Sequence, residues 1–167
     1  MNVQVLMFRQ DDPKKCTAAK LVKFGLARPV SRTRADMIIL DPFARQTLLR
    51  QDAKIANSVT GIDCSWNLAD VTFAKKFLGI PRKLPPLLAG NPVNYSKLNK
   101  LTTVEAVAAA VFILGYEDQA LGLLSKFNWG HTFYELNQEL LRDYSSLQFE
   151  DQIGPLLRQY GIITNID

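Results

Sequence analysis

The feature that most limits the possible folds of this chain is a change of pattern near its middle. Before residue 90, short runs rich in β-branched residues alternate with segments whose apolar residues have helical spacing. From Thr102 onward almost every segment has helical spacing. Alternating strands and helices predict a parallel sheet with right-handed crossovers. We therefore predict an α/β domain over residues 1–90 and an all-helical domain over residues 91–167.

The pattern of the first half predicts three strands and three helices. A fourth, short strand is restricted by Pro85 and Pro86, because proline lacks the amide hydrogen that a sheet needs. The predicted strands are 2–8, 36–41, 59–66 and the short 83–89, and the predicted helices are 14–26, 44–58 and 69–78.

Charged residues are distributed unevenly along the chain, whose net charge is +4. Residues 1–34 contain eight Lys or Arg and two Asp, a balance of +6. Residues 130–167 contain two Arg and six acids, a balance of −4. A basic face and an acidic face favour an oriented polyanionic partner, most simply RNA, over the alternative of a merely solvated surface.

Several kinds of site are disfavoured by the sequence. Cys16 and Cys64 are 48 residues apart, which fits neither a disulfide framework nor a zinc motif, so we predict no metal site. The glycine-rich fingerprints of dinucleotide and P-loop binding and the serine-hydrolase elbow are absent. His131, the one histidine, lies between two predicted helices and fits a loop or capping role better than a catalytic one.

The sequence gives no indication of secretion or membrane insertion. The segment MNVQVLMF has no basic n-region and no small-residue cleavage site, so we expect no signal peptide. The longest apolar run, residues 106–114, is too short to cross a bilayer. With only two cysteines, the chain fits a reducing compartment, and we expect a cytoplasmic protein.

Polar and aromatic residues follow the predicted strands where those strands end. These segments are DDPKKCT (11–17), LDPFA (40–44), DCSW (63–66) and RKLPPLLAGNPVNY (82–95). Open parallel sheets bind ligands outside the carboxyl ends of their strands, so the convergence predicts a ligand site there. Taken singly, each residue is ambiguous: Trp66 fits a core position, Asp63 a helix cap and the cysteines small packing residues.

Five segments, in this order, resemble the S-adenosylmethionine-dependent aminocarboxypropyltransferase family that modifies small-subunit ribosomal RNA, in its compact archaeal form. They are DPKKCTAAKL, ILDPFA, IDCSW, RKLPPLLAGNPVNY and KLTTVEAVAAA, and they cover roughly residues 11–114. The most specific part is LPPLLAGNPVNY followed by the TTVEA helix start.

The resemblance implies a fold and a cofactor that the hydrophobic pattern does not specify. The fold is an N-terminal α/β domain with a SPOUT-like trefoil knot, followed by an all-helical domain that completes the pocket. The cofactor is S-adenosyl-L-methionine. True knots are rare exceptions among protein folds.

The resemblance also implies site residues. Thr17 would contact the methionine end of the cofactor, Leu40 and Pro42 would enclose the adenine, and Trp66 would lie beside the sulfonium. The remaining implied cofactor contacts are Ile62, Leu84, Asn99 and Thr103. At Asn99 the family often has an aromatic residue, so a backbone contact fits this chain and a stacking contact does not. The expected phosphate contacts are Lys14, Lys15, Lys20, Arg32 and Arg34.

The implied reaction moves the aminocarboxypropyl group to N3 of a uridine or pseudouridine and releases methylthioadenosine. Trp66 would hold the methyl group away from the RNA, and Asp63 would act as general base for the N3 proton or as an electrostatic partner of the sulfonium. The target base must be unpaired or flipped, because N3 lies on its Watson–Crick edge.

Two other functions stay open at this point. A SPOUT-type RNA methyltransferase would use the same cofactor and differ only in the carbon that it presents. A ribosome-assembly factor without catalytic activity would bind RNA through the basic face and need no cofactor. We expect a monomer, because the helical domain would occupy the surface through which SPOUT proteins usually dimerise.

Overall fold

The computed structural model of the chain describes residues 1–162, and its centre is a five-stranded parallel sheet. The strands lie in the order β2-β1-β4-β3-β5, and every neighbouring pair is parallel. They are β1 (Asn2–Met7), β2 (Arg28–Pro29), β3 (Met37–Leu40), β4 (Ser58–Asp63) and β5 (Ile80–Arg82).

The central strands are buried, as their composition predicts. All four residues of β3 are buried, which agrees with a short β-branched run that carries no polar alternation. Strand β4 lies between β1 and β3, and its Gly61 is in register with Val5 on one side and Leu40 on the other. The carboxyl ends of β1, β4 and β3 therefore meet at one edge of the sheet.

Six α-helices complete the described fold, two of them among the strands and four after them. They are α1 (Thr17–Lys23), α2 (Ala69–Ala74), α3 (Thr103–Ile113), α4 (Glu117–Leu124), α5 (Gly130–Ser146) and α6 (Ile153–Gln159). The predicted helical character of the chain from Thr102 onward is thus confirmed for the described residues, whereas residues 91–102 form no helix.

Helix α3 joins the helical part of the chain to the sheet. Almost every residue of this Ala-rich helix is buried, so it packs on all sides and has no solvent-facing stripe. It approaches β4 closely: a Cβ atom at Gly61 would lie 2.9 Å from Val107 Cγ2 and 3.0 Å from Thr103 Cγ2. Glycine at this position therefore lets Thr103 reach the carboxyl end of β4.

The predicted helix over 44–58 is wrong. Only a short 3-10 helix, Arg50–Lys54, forms within it. The Leu48 amide donates to the Lys83 carbonyl at 2.8 Å, and Thr47 forms an isolated parallel bridge with Lys83. Asp52 is buried and accepts hydrogen bonds from Arg82 and from the Leu49 amide. These tertiary partners outweigh the helix propensity of the segment.

The fourth strand lies a few residues before its predicted position. Strand β5 is Ile80–Arg82, and the predicted segment 83–89 is held mainly by the helical part of the chain. The Asn137 side chain exchanges two hydrogen bonds of 2.8 Å with the Leu88 backbone, and the Tyr144 hydroxyl donates to the Pro86 carbonyl at 2.8 Å. The two-residue strand β2 was not predicted, since Arg28–Pro29 has no strand-like composition.

The expectation of a SPOUT-like trefoil knot is corrected. The strand order and registers define a five-stranded parallel α/β sheet with helices, and they do not establish a threaded chain. The knot came from the resemblance alone. A hydrophobic pattern specifies which faces are buried, and it does not specify whether one segment passes through the loop of another.

Candidate active site

A carboxylate at the end of β4 lies at the centre of the candidate site. Asp63 Oδ1 accepts a hydrogen bond from Thr103 Oγ1 at 2.8 Å, and Oδ2 accepts one from Cys16 Sγ at 3.2 Å. These donors come from α3 and from the start of α1, so three separate segments converge on one side chain. An ionised carboxylate has about four acceptor sites, and two of them are left for a ligand.

Cys16 is the N-cap of α1 as well as a partner of Asp63. Its sulfur accepts a hydrogen bond from the Ala19 amide at 3.3 Å, which satisfies one of the free amides of the first turn. Burial, together with the hydrogen bond to Asp63, raises the pKa of the Cys16 thiol to about 11. The sulfur is therefore a neutral donor to the carboxylate at physiological pH.

Thr17 lies next to this cluster and connects α1 to α3. The Val104 amide donates to Thr17 Oγ1 at 3.2 Å, and Thr17 is buried. Because Val104 is in the first turn of α3, this bond joins the two helix starts. Two of the predicted cofactor residues, Thr17 and Thr103, thus lie together beside Asp63.

Trp66 forms the rim of the cluster, and the indole is 40% exposed. Its Nε1–H donates to the Leu101 carbonyl at 3.1 Å, which ties the rim to the segment before α3. The Lys100 ammonium lies 4.8 Å from the centroid of the ring. The indole face therefore already attracts a cation.

The apolar residues of the predicted site follow the edge of the sheet. Leu40 ends β3 and is buried, whereas Pro42 in the following turn is exposed. Ile62 in β4 and Leu84 just after β5 are both half-buried. Because β3 lies between β4 and β5, these side chains belong to three adjacent strand ends.

Asn99 has a different role from that of its neighbours in the predicted site. Its backbone is left-handed, with a φ of 60°. Its amide donates to the Leu87 carbonyl at 2.9 Å, and its side-chain oxygen accepts from the Leu87 amide at 3.2 Å. The side chain thus pairs with the LPPLLAGNPVNY segment, which leaves the Asn99 carbonyl oxygen as a backbone group for a ligand.

Glu105 holds the LPPLLAGNPVNY segment in place, although the sequence did not indicate it as a site residue. Glu105 is fully buried and accepts five hydrogen bonds of 2.7–3.0 Å from Gly90, Asn91 and Thr102. The predicted N-cap followed by an acid is confirmed as a capping box of Thr102 and Glu105. The contacts to Gly90 and Asn91 require the tertiary fold, so no local signal predicts them.

The predicted phosphate contacts lie in segments that follow β1 and β2. Lys14 and Lys15 are exposed before α1, Lys20 is half-buried on α1, and Arg32 and Arg34 are exposed between β2 and β3. Arg34 makes an exposed ion pair with Asp36 at 3.1 Å, and this pair lowers the pKa of the Asp36 carboxyl. Part of the Arg34 charge is therefore already neutralised.

Two surface grooves of about 370 Å³ and 240 Å³ lie elsewhere. Asn2 and Asn57 line the first, at the amino ends of β1 and β4, and Asp52, Arg82 and Glu150 line the second. Neither is lined by a predicted cofactor residue. We base the candidate site on the converging strand ends, because their polar groups form a single connected cluster.

Two absences apply to residues 1–162. No group of three or more potential metal-ligating side chains comes together there. None of the helices in this part of the chain has both the length and the apolar content to cross a membrane.

The chain matches two described families. Residues 38–161, about three quarters of the sequence, match the family described as "Ribosome biogenesis protein, C-terminal". Residues 1–34 match "Possible Fer4-like domain in RNase L inhibitor, RLI". Iron–sulfur clusters are typically held by four cysteines. Cys16 is the one cysteine in this stretch, so its donor set does not fit such a cluster.

Curated relatives match over nearly the whole chain. The 16S rRNA aminocarboxypropyltransferase of Methanococcoides burtonii is 42% identical over 164 residues, which are 95% of this chain and 94% of that protein. The protein of the same name from Thermoplasma volcanium is 46% identical over 147 residues, 86% of this chain and 89% of that protein.

One solved structure is similar over nearly the whole chain as well. The SAM-dependent rRNA:acp-transferase Tsr3 from Vulcanisaeta distributa is 38% identical, with a TM-score of 0.86 over 96% of this chain and 89% of that chain. This likeness supports the α/β architecture. It gives no support to a SPOUT trefoil knot, in agreement with the correction above.

Proposed function

The chain belongs to the 16S rRNA aminocarboxypropyltransferase family, and we propose that it transfers the 3-amino-3-carboxypropyl group of S-adenosyl-L-methionine to N3 of a uridine or pseudouridine in small-subunit ribosomal RNA. The transfer is part of ribosome biogenesis. The observation that carries the proposal is the 38% identity to a SAM-dependent rRNA:acp-transferase over 96% of the chain.

The chemistry of the strand-end residues fits this cofactor. S-adenosyl-L-methionine supplies an activated carbon, because the sulfonium leaves as neutral methylthioadenosine when the N3–C bond forms and the C–S bond breaks. The indole of Trp66 attracts the Lys100 ammonium 4.8 Å from its centroid, and a sulfonium is a cation of the same charge. The remaining acceptor sites of Asp63 suit the cofactor's ammonium or the N3 proton of the base.

We assign the other contacts by residue. Thr17 and Thr103 bind the methionine end, Leu40 and Pro42 enclose the adenine, and Trp66 shields the methyl group. Ile62, Leu84 and Asn99 contribute largely through backbone groups. The α/β part over residues 1–90 then carries the RNA and most of the cofactor contacts, and residues 91–167 complete the pocket.

Asp63 is our candidate general base. Cys16 and Thr103 each donate one hydrogen bond to it, so the carboxylate is held in one orientation. A fixed carboxylate can accept the N3 proton without first reorganising, and positioning of this kind supplies much of the rate in group transfer. The alternative role is electrostatic stabilisation of the sulfonium, and the two roles differ in how the rate depends on pH.

A double-label transfer assay tests the reaction. Purified protein is incubated with small-subunit RNA that lacks the modification, and with cofactor labelled either on the methyl group or on the methionine carboxyl. We expect the carboxyl label to enter the RNA and the methyl label to stay in methylthioadenosine. Methyl transfer would identify a methyltransferase. Neither label entering an RNA that the protein binds would identify a non-catalytic assembly factor.

We further propose that the protein works as a monomer in the cytoplasm. The helical part of the chain packs on β4 through α3, which covers β4 on that side of the sheet. Sedimentation of the purified protein should give a single species of 18.8 kDa. A stable dimer would contradict this part of the proposal.

A further inference from the structure

We propose that four phenylalanines at the carboxyl edge of the sheet form a stacking platform for unpaired RNA bases that flank the target nucleotide. The inference rests on the proposed function, because it takes RNA to be the substrate. We call Phe8, Phe43, Phe73 and Phe77 the aromatic row.

The four rings touch in sequence. The Phe8 and Phe77 centroids are 6.3 Å apart, those of Phe77 and Phe73 are 5.9 Å apart, and those of Phe73 and Phe43 are 5.9 Å apart. The Phe8–Phe77 and Phe73–Phe77 pairs pack edge to face, with planes inclined at 68° and 76°, and the Phe43–Phe73 pair is tilted at 60°.

The aromatic row begins beside Asp63, the candidate general base. The Phe8 amide donates to the Asp63 carbonyl at 3.0 Å, so one end of the row is a single hydrogen bond from the backbone of that residue. Phe43 is at the other end, after β3, where its amide donates to Asp41 Oδ1 at 2.8 Å. An RNA base stacked on these rings would therefore be close to the target nucleotide held at Asp63.

The row does not belong to the main hydrophobic core. None of its four side chains is among the buried residues of that core or the apolar residues packed against it. Phe8 is 37% exposed and Phe43 is 56% exposed. Four adjoining aromatic rings outside the core, two of them open to solvent, indicate a surface that meets a partner.

The charge around the rings indicates which partner. The segments that carry the row, 8–10, 43–45 and 73–77, contain four cations and no acid, and the nearest acids along the chain are Asp11, Asp41 and Asp70, of which Asp41 accepts the Phe43 amide. Within residues 1–162 none of these cations forms an ion pair. They are Arg9, Arg45, Lys75 and Lys76.

Cations interleaved with aromatic rings match single-stranded RNA, whose phosphates pair with the cations while its bases stack on the rings. A second copy of this chain is a poorer match. In a two-fold contact the same patch meets itself, which would bring the four cations of each copy together.

The row also extends a surface that is already predicted to contact phosphates. Lys14 and Lys15 follow β1, as Phe8 does, and Arg32 follows β2 next to it. The basic segments and the aromatic row therefore occupy neighbouring positions along the same edge. RNA lying along that edge would pass from the basic segments to the rings across the end of β4.

Binding to two labelled RNAs tests the proposal. One is a hairpin with an unpaired loop, and the other is a fully paired duplex of the same length. Phe43→Ala should weaken hairpin binding about 10-fold, in the range that alanine substitution gives for a stacked base, and leave duplex binding unchanged. Phe43→Tyr should bind as the parent does. Phe149→Ala removes an aromatic side chain of similar exposure, 62%, outside the row and should change neither affinity.

Three results would overturn the proposal. One is hairpin binding by Phe43→Ala that equals the parent's, and another is an equal loss for hairpin and duplex. The third is a dimer of the parent protein that Phe43→Ala dissociates without any change in RNA affinity, which would make the row a contact between copies. If the hairpin affinity depends on Phe43 but no label enters RNA, the platform stands and the proposed transferase activity fails.

Discussion

At the scale of single residues, Asp63 is where the geometry and the proposed chemistry meet. Its two oxygens each accept one hydrogen bond, from Thr103 and Cys16. An asparagine at this position would place its NH2 group, which can only donate, opposite one of these two donors. Asp63→Asn should lower the transfer rate about 10²–10⁴-fold, the usual contribution of a general base. Cofactor binding, measured by calorimetry, should fall much less. Thr103→Ala is the comparison: it removes one partner of the carboxylate and a proposed cofactor contact but keeps the base, so it should weaken cofactor binding more than Asp63→Asn does.

The pH dependence of Asp63→Asn separates the two roles of the carboxylate. If Asp63 removes the N3 proton, hydroxide takes over that task as the pH rises, and the deficit of the variant should shrink. A deficit that is the same at every pH would instead support electrostatic stabilisation of the sulfonium.

Cys16 gives a prediction that does not depend on the reaction. Burial raises its pKa from 9.0 to about 11, so the thiolate fraction at pH 8 is about 100-fold smaller than in an unfolded chain. In a Cys64→Ser variant, alkylation of Cys16 by iodoacetamide at pH 8 should be slower in the folded protein than in urea, although the higher nucleophilicity of a thiolate with a raised pKa offsets part of the loss of thiolate. The folded-state rate should keep rising between pH 9 and 11. A plateau near pH 9 would contradict the assignment.

The same shift predicts the direction of a stability change. Folding favours the neutral thiol, so its contribution is fully present below pH 9 and is lost as the pH rises toward 11. The free energy of unfolding should therefore fall over that interval, and the Cys16 contribution to the fall should be absent in Cys16→Ala.

The roles of individual site residues come from the resemblance and stay predictions. Asp63 and Trp66 lie three residues apart in one short segment after a strand, so the sequence could single them out together. Cys16 is 47 residues from its carboxylate partner, and Lys100 is 34 residues from the ring that it contacts. Contacts at such separations have no local signal, and our prediction of a plain packing role for Cys16 missed this one.

At the scale of elements, periodicity predicted best where an element is stabilised by its own burial. Strand β3 is apolar throughout and lies within one residue of its predicted limits, and helix α3 is apolar except for Thr103 and Glu105. The predicted helix over 44–58 failed because its polar side chains have partners elsewhere: Thr47 donates to Glu150 at 2.6 Å and Asp52 accepts from Arg82 at 3.0 Å. A helix there would leave buried Asp52 without its ion-pair partner.

The contact between β4 and α3 gives a prediction about element spacing. Gly61→Ala would place a Cβ atom 2.9 Å from Val107 Cγ2, so α3 must move away from the sheet. We expect a loss of about 1–3 kcal/mol in the free energy of unfolding and weaker cofactor binding, because Thr103 would move with α3. Gly122→Ala is the matched control in α4: its Cβ would meet nothing within 4 Å, and it should be neutral or slightly stabilising.

The link between the LPPLLAGNPVNY segment and α3 depends on one side chain. Glu105 accepts five hydrogen bonds, and an amide can accept through its oxygen alone while presenting two donors to groups that are donors themselves. Glu105→Gln should therefore lower the free energy of unfolding by about 3 kcal/mol in urea titrations. Thr102→Ala, which removes one cap, should cost about 1 kcal/mol. Equal losses would mean that Glu105 acts only within the capping box.

At the scale of the whole molecule, the sequence specified the order of its two halves but not how they share one core. The switch from alternating elements to helices is visible in composition, whereas the packing of α3 against β4 requires a glycine at residue 61, opposite Val107 and Thr103. The SPOUT knot shows the limit of inference by resemblance. It was carried over as a property of a family, and no residue pattern in this chain supported it.

The uneven charge of the molecule gives the last prediction. If Lys14 and Lys15 each neutralise one phosphate, Lys14→Gln with Lys15→Gln should reduce the slope of log affinity against log salt by about 1.4 for single-stranded RNA. Arg34→Gln should change it less than Arg32→Gln, because Asp36 already pairs with Arg34 at 3.1 Å.

The acidic part of the chain provides the control for this measurement. Glu135→Gln with Glu139→Gln alters the net charge by the same amount on exposed positions of α5 and should leave the slope unchanged. Counterion release depends on local phosphate contacts, whereas a long-range field depends on total charge. Equal and opposite effects of the two pairs would therefore mean that net charge, and not a basic face, governs RNA binding.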